Sequence, residues 1–185
     1  MEPARNAPTL ADLDALPAGI KGEIIEGVLY TMPWPRALHL HVASEITSDL
    51  SCSLDFDHQG LDSWWILFAP DIELPGTLEI SPAVAGWRRA RMPALSDEAA
   101  ITVVPDWVCE ILSPTTREHD LLVKKPYYAR IGVAHHWIAD LFERTLTAYR
   151  LDAGEWRTLG VYRHERDARI EPFTNVALDV GSWWE

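Results

Sequence analysis

Apolar positions along the 185-residue chain switch between a helical and an alternating period, and the switches mark out its elements. In "TLADLDAL", Leu10, Leu13 and Leu16 recur at helical spacing; Thr9 can cap the start and Asp12 follows three residues later, so a short helix is predicted. "GEIIEGVLYTM" reads as two short strands turned at Glu26-Gly27. Over residues 37–55, Val42, Ile46, Leu50 and Leu54 lie four apart, the mark of a helix face. "SWWILFA" predicts a strand, and "DIEL" and "TLEISPAV" two more around a turn at Pro75-Gly76. A loop rich in Arg, Pro and acids is predicted over residues 87–101, before the most apolar strand, "TVVPDWVCEIL". Residues 116–131 read as a helix stopped by Gly132 and kinked by Pro126. "HHWIAD", "TLTAYRL" and "EWRTLGVYR" follow as strands, turned at Glu143-Arg144 and Ala153-Gly154, and "FTNVALDVGSWWE" as a strand with a short terminal segment.

This order predicts one α/β domain over residues 1–185, a mixed sheet with helices packed on it and residues 1–19 as an N-terminal helical extension. No apolar run approaches the roughly 18 residues of a membrane span, and the N-terminus lacks the basic-then-apolar pattern of a signal peptide. A cytoplasmic protein is expected. The net charge of -12 opposes broad, nonspecific binding of polyanions but leaves room for a local basic groove. The densest basic cluster, Arg88, Arg89 and Arg91, reads first as a solvated loop. Cys52 and Cys109 have no metal or redox spacing, and both are read as buried thiols. Among nine tryptophans, Trp183 and Trp184 at the tail could seal a subunit contact, so a homodimer is expected.

One residue breaks the apolar pattern. In the strand 107–112, Val108, Glu110 and Leu112 share one face and Trp107, Cys109 and Ile111 the other. A carboxylate there needs a cation, a donor or a cleft, and a structural salt bridge is the plain alternative to a chemical role. The helix that follows carries Lys124 four residues after Asp120, on one face. Folded back over the strand's end, it would bring Lys124 to Glu110. A carboxylate holding a divalent ion beside a lysine suits phosphodiester hydrolysis: the ion neutralises phosphate and activates water, and the lysine orients that water or meets the developing charge.

The stretch "PDWVCEILSPTTREHDLLVKKPYYARIGVAHHWIAD" resembles the Uma-type family of restriction endonucleases, in the PD-(D/E)XK nuclease superfamily. The resemblance runs through Pro105-Asp106, Glu110, Ser113-Pro114-Thr115-Thr116-Arg117, Asp120, Lys124, Tyr128-Ala129, Gly132-Val133 and Trp137, and extends over roughly residues 20–180. It implies a restriction-endonuclease-like fold and metal-dependent cleavage of DNA. Glu110 would be the acid that binds Mg²⁺ or Mn²⁺, and Lys124 the motif lysine moved from strand to helix, because Leu112 occupies the usual strand position.

The family pattern also carries a second metal-binding Asp where this chain has Pro82-Ala83, and alanine cannot bind a metal. Glu79, on the same strand face if the strand is regular, could assist. The chain is then either an endonuclease weakened at its metal site or a catalytically silent member that binds DNA or protein. Supporting positions are Glu23 and Glu26 in the hairpin, His41 at the helix entry and Arg117 after the strand. Their plain alternatives are solvated acids, a cap or core histidine, and a helix-start salt bridge to Glu118 or Asp120.

Overall fold

The computed structural model describes residues 7–54 and 63–185; of the expected helix over 37–55, residue 55 and the Leu54 side chain lie outside the described residues. The first helix, α1 (Leu10–Asp14), starts at Thr9, whose backbone N–H and hydroxyl donate to Asp12 Oδ2 at 2.7 and 2.8 Å. The apolar side of α1 lies over Gly22 of strand β1 (Ile20–Ile25), where a Cβ would come within 2.6 Å of both Leu13 and Leu16. β1 turns into β2 (Val28–Pro33) through Glu26 and Gly27, at φ 52° and 75°. Positive φ at both central residues is what a tight two-residue hairpin loop requires.

Helix α2 (Ala37–Leu54) buries Val42, Ile46 and Leu50 completely, the stripe its spacing predicts. Next come β3 (Trp64–Phe68), β4 (Ile72–Leu74) and β5 (Thr77–Ile80). The run "TLEISPAV" does not stay one strand. β5 ends in a four-stranded sheet of order β2-β1-β5-β4, and β6 (Val84–Arg88) begins in a six-stranded sheet of order β10-β9-β8-β7-β6-β3. The crossing is Ser81-Pro82-Ala83; Pro82 has no N–H to give a ladder, so strand pairing stops there.

Trp87 and Arg88 belong to β6 rather than to the expected loop. Of the basic cluster, Arg88 and Arg89 are laid down on their own chain, while Arg91 is exposed in the turn that follows β6. Arg88 and Arg89 sit 4.6 and 3.6 Å from the ring centroids of Trp64 and Trp65, and Arg91 pairs with Asp106 at 2.8 Å.

Strand β7 (Trp107–Leu112) is buried on both faces, as its near-continuous apolar run requires. Trp107, Cys109 and Ile111 pack with α2 and with Phe173, Val176 and Leu178 from the C-terminal segment, while Val108 packs with Tyr127, Tyr128 and Ile80 on the other side. β7 pairs in parallel with β8 (His135–Asp140) and antiparallel with β6. β9 (Thr145–Asp152) and β10 (Glu155–Tyr162) complete the sheet. His135 and His136 face opposite ways: His135 meets Glu171 at 3.3 Å, and His136 is buried against Tyr128 and Trp156.

The helix between β7 and β8 comes in three pieces: α3 (Arg117–His119), a π turn (Asp120–Lys124) and α4 (Lys125–Arg130). The Lys125 N–H donates to Asp120 O, five residues back. Pro126 cannot make the α-helical bond to Leu122, and widening the turn before it accommodates the ring without ending the helix.

Three expectations are corrected. The strand predicted in "FTNVALDVG" is an irregular segment with one β-bridge, Ala168–Leu178, because its apolar residues pack singly into the core rather than along a ladder. Cys52 is exposed near the end of α2; only Cys109 is a buried thiol. Trp183 and Trp184 are buried within the chain and donate to Asp49 Oδ2 and Arg163 O at 2.7 and 2.9 Å, so they are not a surface for a second subunit.

Candidate active site

The passage from one sheet to the other leaves a cleft, and five elements send charged or polar groups into it. β7 delivers Glu110. β1 delivers Lys21 and Glu23, two residues apart and therefore on one face. The crossing delivers the Ser81 and Ala83 backbone. The π turn and α4 deliver Asp120, Lys124 and Tyr128 at four-residue intervals. Glu23, Glu110, Asp120, Lys124 and Tyr128 are all nearly inaccessible to water. The open space above them, about 60 Å³, holds at most a few waters or one small ion.

Lys124 is the hub. Its Nζ lies 2.8 Å from Glu110 Oε1, 3.1 Å from Glu23 Oε1 and 3.0 Å from Ser81 O. Three acceptors meet its three N–H bonds. Glu110 is held mainly through one oxygen: Oε1 also accepts from the Tyr128 hydroxyl at 2.6 Å, while Oε2 has only a long contact from the Ala83 N–H at 3.4 Å. Glu23 accepts from the Ser81 N–H at 3.0 Å, and its other oxygen meets His119 Nε2 at 2.7 Å. The His119 ring packs against Tyr30, centroids 4.8 Å apart.

Electrostatics separate the carboxyls. Burial alone would raise Glu23, but Lys124, the His119 hydrogen bond and Lys21 outweigh it and hold the acid at about 2. Asp120 goes the other way: burial and then the charge of Glu110 push it up to about 8, against the pull of Lys124 and Thr116. At neutral pH the cluster thus holds Glu23 ionised and Asp120 mostly protonated. Lys124 stays charged, because Glu110 and Glu23 overcome the cost of its burial. Burial and Lys124 lower His39 to about 4, so it is neutral here.

Of the residues singled out in the sequence, Glu110, Lys124 and Glu23 come together, and Ala83 lines the same cleft. The others do not join them. His41 is exposed on α2, 4.0 Å from Glu45; two residues earlier, His39 is the histidine that lines the cleft, since i,i+2 positions on a helix face different ways. Glu26 is exposed and paired with Arg130. Arg117 is half exposed and pairs with Asp140 at 2.5 Å rather than with Glu118 or Asp120. Glu79 lines a neighbouring pocket with Asp71, so it does not replace the missing acid.

Tyr128, Asp120, His119, Lys21 and Ser81 were not singled out as site residues. Four-residue spacing from Lys124 carries the signal for Tyr128 and Asp120, and two-residue spacing from Glu23 carries it for Lys21. Nothing local points to His119 or Ser81.

As they stand, the donors do not fit a divalent ion. Glu110 Oε1 is taken up by an ammonium and a hydroxyl, and Ala83 contributes only a methyl group. Among the described residues no cluster of three or more His, Cys, Asp or Glu is arranged to hold a metal.

The fold and site define a class before any closer relation. The crystal structure of "a putative nuclease belonging to DUF820" from Anabaena variabilis matches with a TM-score of 0.72 over 96% of this chain and 97% of that one, at 22% identity. The two share their mixed α/β fold. The family model Uma2, "Putative restriction endonuclease", matches residues 9–181, and the chain belongs to that family. No curated protein matches the sequence. No helix among the described residues is long and apolar enough to cross a membrane.

Proposed function

We propose that the cleft is a phosphodiester-hydrolysis site of endonuclease type acting on DNA, with Glu110 and Lys124 as its surviving catalytic pair. In this chain it lacks one of the two carboxylates that would hold Mg²⁺ or Mn²⁺, so the chain engages nucleic acid but cuts it weakly. The observation that carries this reading is the 2.8 Å contact between Lys124 and Glu110 at the base of a cleft that Ala83 also lines.

The remaining residues divide the work. Lys124 places a permanent positive charge where a phosphate oxygen would enter, and such a charge in a water-poor site stabilises a developing oxyanion. Tyr128 and the Ala83 N–H hold the Glu110 carboxylate in one orientation. Glu23, with Ser81 behind it, fixes the ammonium from the other side. A homodimer, which would set two such sites in one assembly, belongs to this reading, with residues 1–185 as one domain working in the cytoplasm; light scattering tests the dimer.

The decisive experiment compares this chain, Ala83→Asp and Ala83→Asp/Lys124→Ala in calorimetric Mg²⁺ titration and in DNA cleavage. The present chain should bind the ion weakly and cut little. Ala83→Asp should tighten the ion and bring cleavage. Adding Lys124→Ala should abolish cleavage while keeping the ion, because lysine acts on water and charge rather than on the metal.

A second reading, a silent nuclease-fold module, is favoured by the engagement of Glu110 Oε1 by both Lys124 and Tyr128. It prevails if Ala83→Asp binds the ion but cuts neither DNA nor RNA. If Ala83→Asp binds no ion, Glu110 is a structural acid only.

A further inference from the structure

Beside the cleft lies a wider groove of about 350 Å³. The two are continuous: Pro33, Pro35, His39 and Thr116 line both. Its walls carry Trp34, 59% exposed, and Phe142, 88% exposed. Two large aromatics open to water in one groove form an apolar patch of the kind that marks a ligand-binding surface.

Phe142 is also held in place. Its N–H and that of Glu143 donate to Asp140 Oδ1 at 3.0 and 3.1 Å, and Arg117 engages Asp140 Oδ2. The turn therefore presents the ring rather than letting it fold onto the surface. On the groove's other side, the Ser113 hydroxyl lies 3.1 Å from the hydroxyls of both Thr115 and Thr116, a set of adaptable donors and acceptors. Arg36, exposed at the start of α2, adds a positive charge to the wall.

We propose that this groove takes the base of an unpaired or everted nucleotide next to the phosphodiester in the cleft, stacked on Trp34 and Phe142 with its edge on the hydroxyls. The inference rests on the phosphodiester reading of the cleft. A flat aromatic ring suits two exposed π faces, and its attached phosphate would run toward Lys124 through the shared wall. The groove's size fits one base with its sugar rather than a base pair. The net charge of -12 also disfavours an extended duplex track, whose affinity comes from many phosphate contacts.

The test measures fluorescence anisotropy of a short labelled single-stranded DNA at fixed salt, in EDTA so that nothing is cut. The chain as it stands is compared with Trp34→Ala and Phe142→Ala, using the intact strand, the same strand with abasic sites, its duplex, and the RNA version. Both variants change exposed residues, and thermal melts verify that they stay folded. The intact strand should bind tighter than the abasic strand and the duplex. Each variant should weaken the intact strand about tenfold and leave the abasic strand unchanged. The RNA arm decides between the sugars.

Variants that bind the intact strand as the parent does, equal binding of intact and abasic strands, or no binding of any strand would each overturn the base site. Cleavage by Ala83→Asp with no effect of Trp34→Ala overturns the base site alone. Trp34-dependent binding with no cleavage by Ala83→Asp overturns hydrolysis alone.

Discussion

Lys124 Nζ stands 2.8 Å from Glu110 Oε1, with both side chains nearly inaccessible to water. The π turn is what brings the lysine there, and a buried pair of this kind fails badly when one partner is removed. Lys124→Ala should destabilise the chain by about 3–5 kcal/mol at neutral pH, because Glu110 and Glu23 lose the cation between them. Urea unfolding measures it. A loss under about 1 kcal/mol, the range of an exposed pair, would mean that water reaches the site freely.

The acids of the cleft should give the stability curve two limbs of opposite sign. Glu23 is depressed from 4.5 to about 2, so its contribution is present above 4.5 and lost as pH falls through about 2. Asp120 is raised, so its contribution is full below 3.8 and lost as pH rises through about 8. Glu23→Gln should flatten the acid limb. Asp120→Asn should flatten the limb between about 4 and 8 and leave the chain more stable than its parent at pH 7. Denaturant midpoints taken across pH decide this; an unchanged slope in Asp120→Asn between pH 4 and 8 would contradict the placement of that proton.

Tyr128→Phe removes the hydroxyl that donates to Glu110 at 2.6 Å and changes little else. A buried bond to a charged acceptor contributes about 1.5–3 kcal/mol. The variant should lose about that much, with an unaltered circular dichroism spectrum. No measurable loss would indicate that another donor takes over.

Trp183→Ala should cost about 3–5 kcal/mol, because the ring is fully buried and its N–H is bonded to Asp49. Its mass in light scattering should match that of the parent chain at the same concentration. A change in oligomeric state on removing this ring would return the tail to the role of a subunit contact.

Much of the site was legible in the sequence because its parts lie on regular elements. An acid at an inward position of an apolar strand, and a lysine on the next helix, are visible from period alone, and these two residues do meet. The family resemblance points to His41, yet His39 lines the cleft, because helix phase at an N-terminus cannot be read without knowing where the helix docks. The family pattern points to Glu26 and the place just after the strand points to Arg117, yet each finds a partner on a different element, Arg130 and Asp140. The break at Pro82 was hidden by an apolar alternation that continues across it. The terminal strand failed for the converse reason: "NVALDV" has the alternation of a strand but only one bridge to pair with.

The π turn has a consequence for how this chain can vary. It holds one residue more than an α-helical stretch making the same advance, so everything after it is rotated by about 100° from where an uninterrupted helix would put it. Removing one residue from Asp120–Lys124 would restore the ordinary winding and leave Tyr128 facing Glu110, whereas winding the full-length stretch as an α-helix would turn Tyr128 away. The widened turn takes up an extra residue, so the site fixes the phase of α4 against β7 rather than the count of residues between Glu110 and Tyr128.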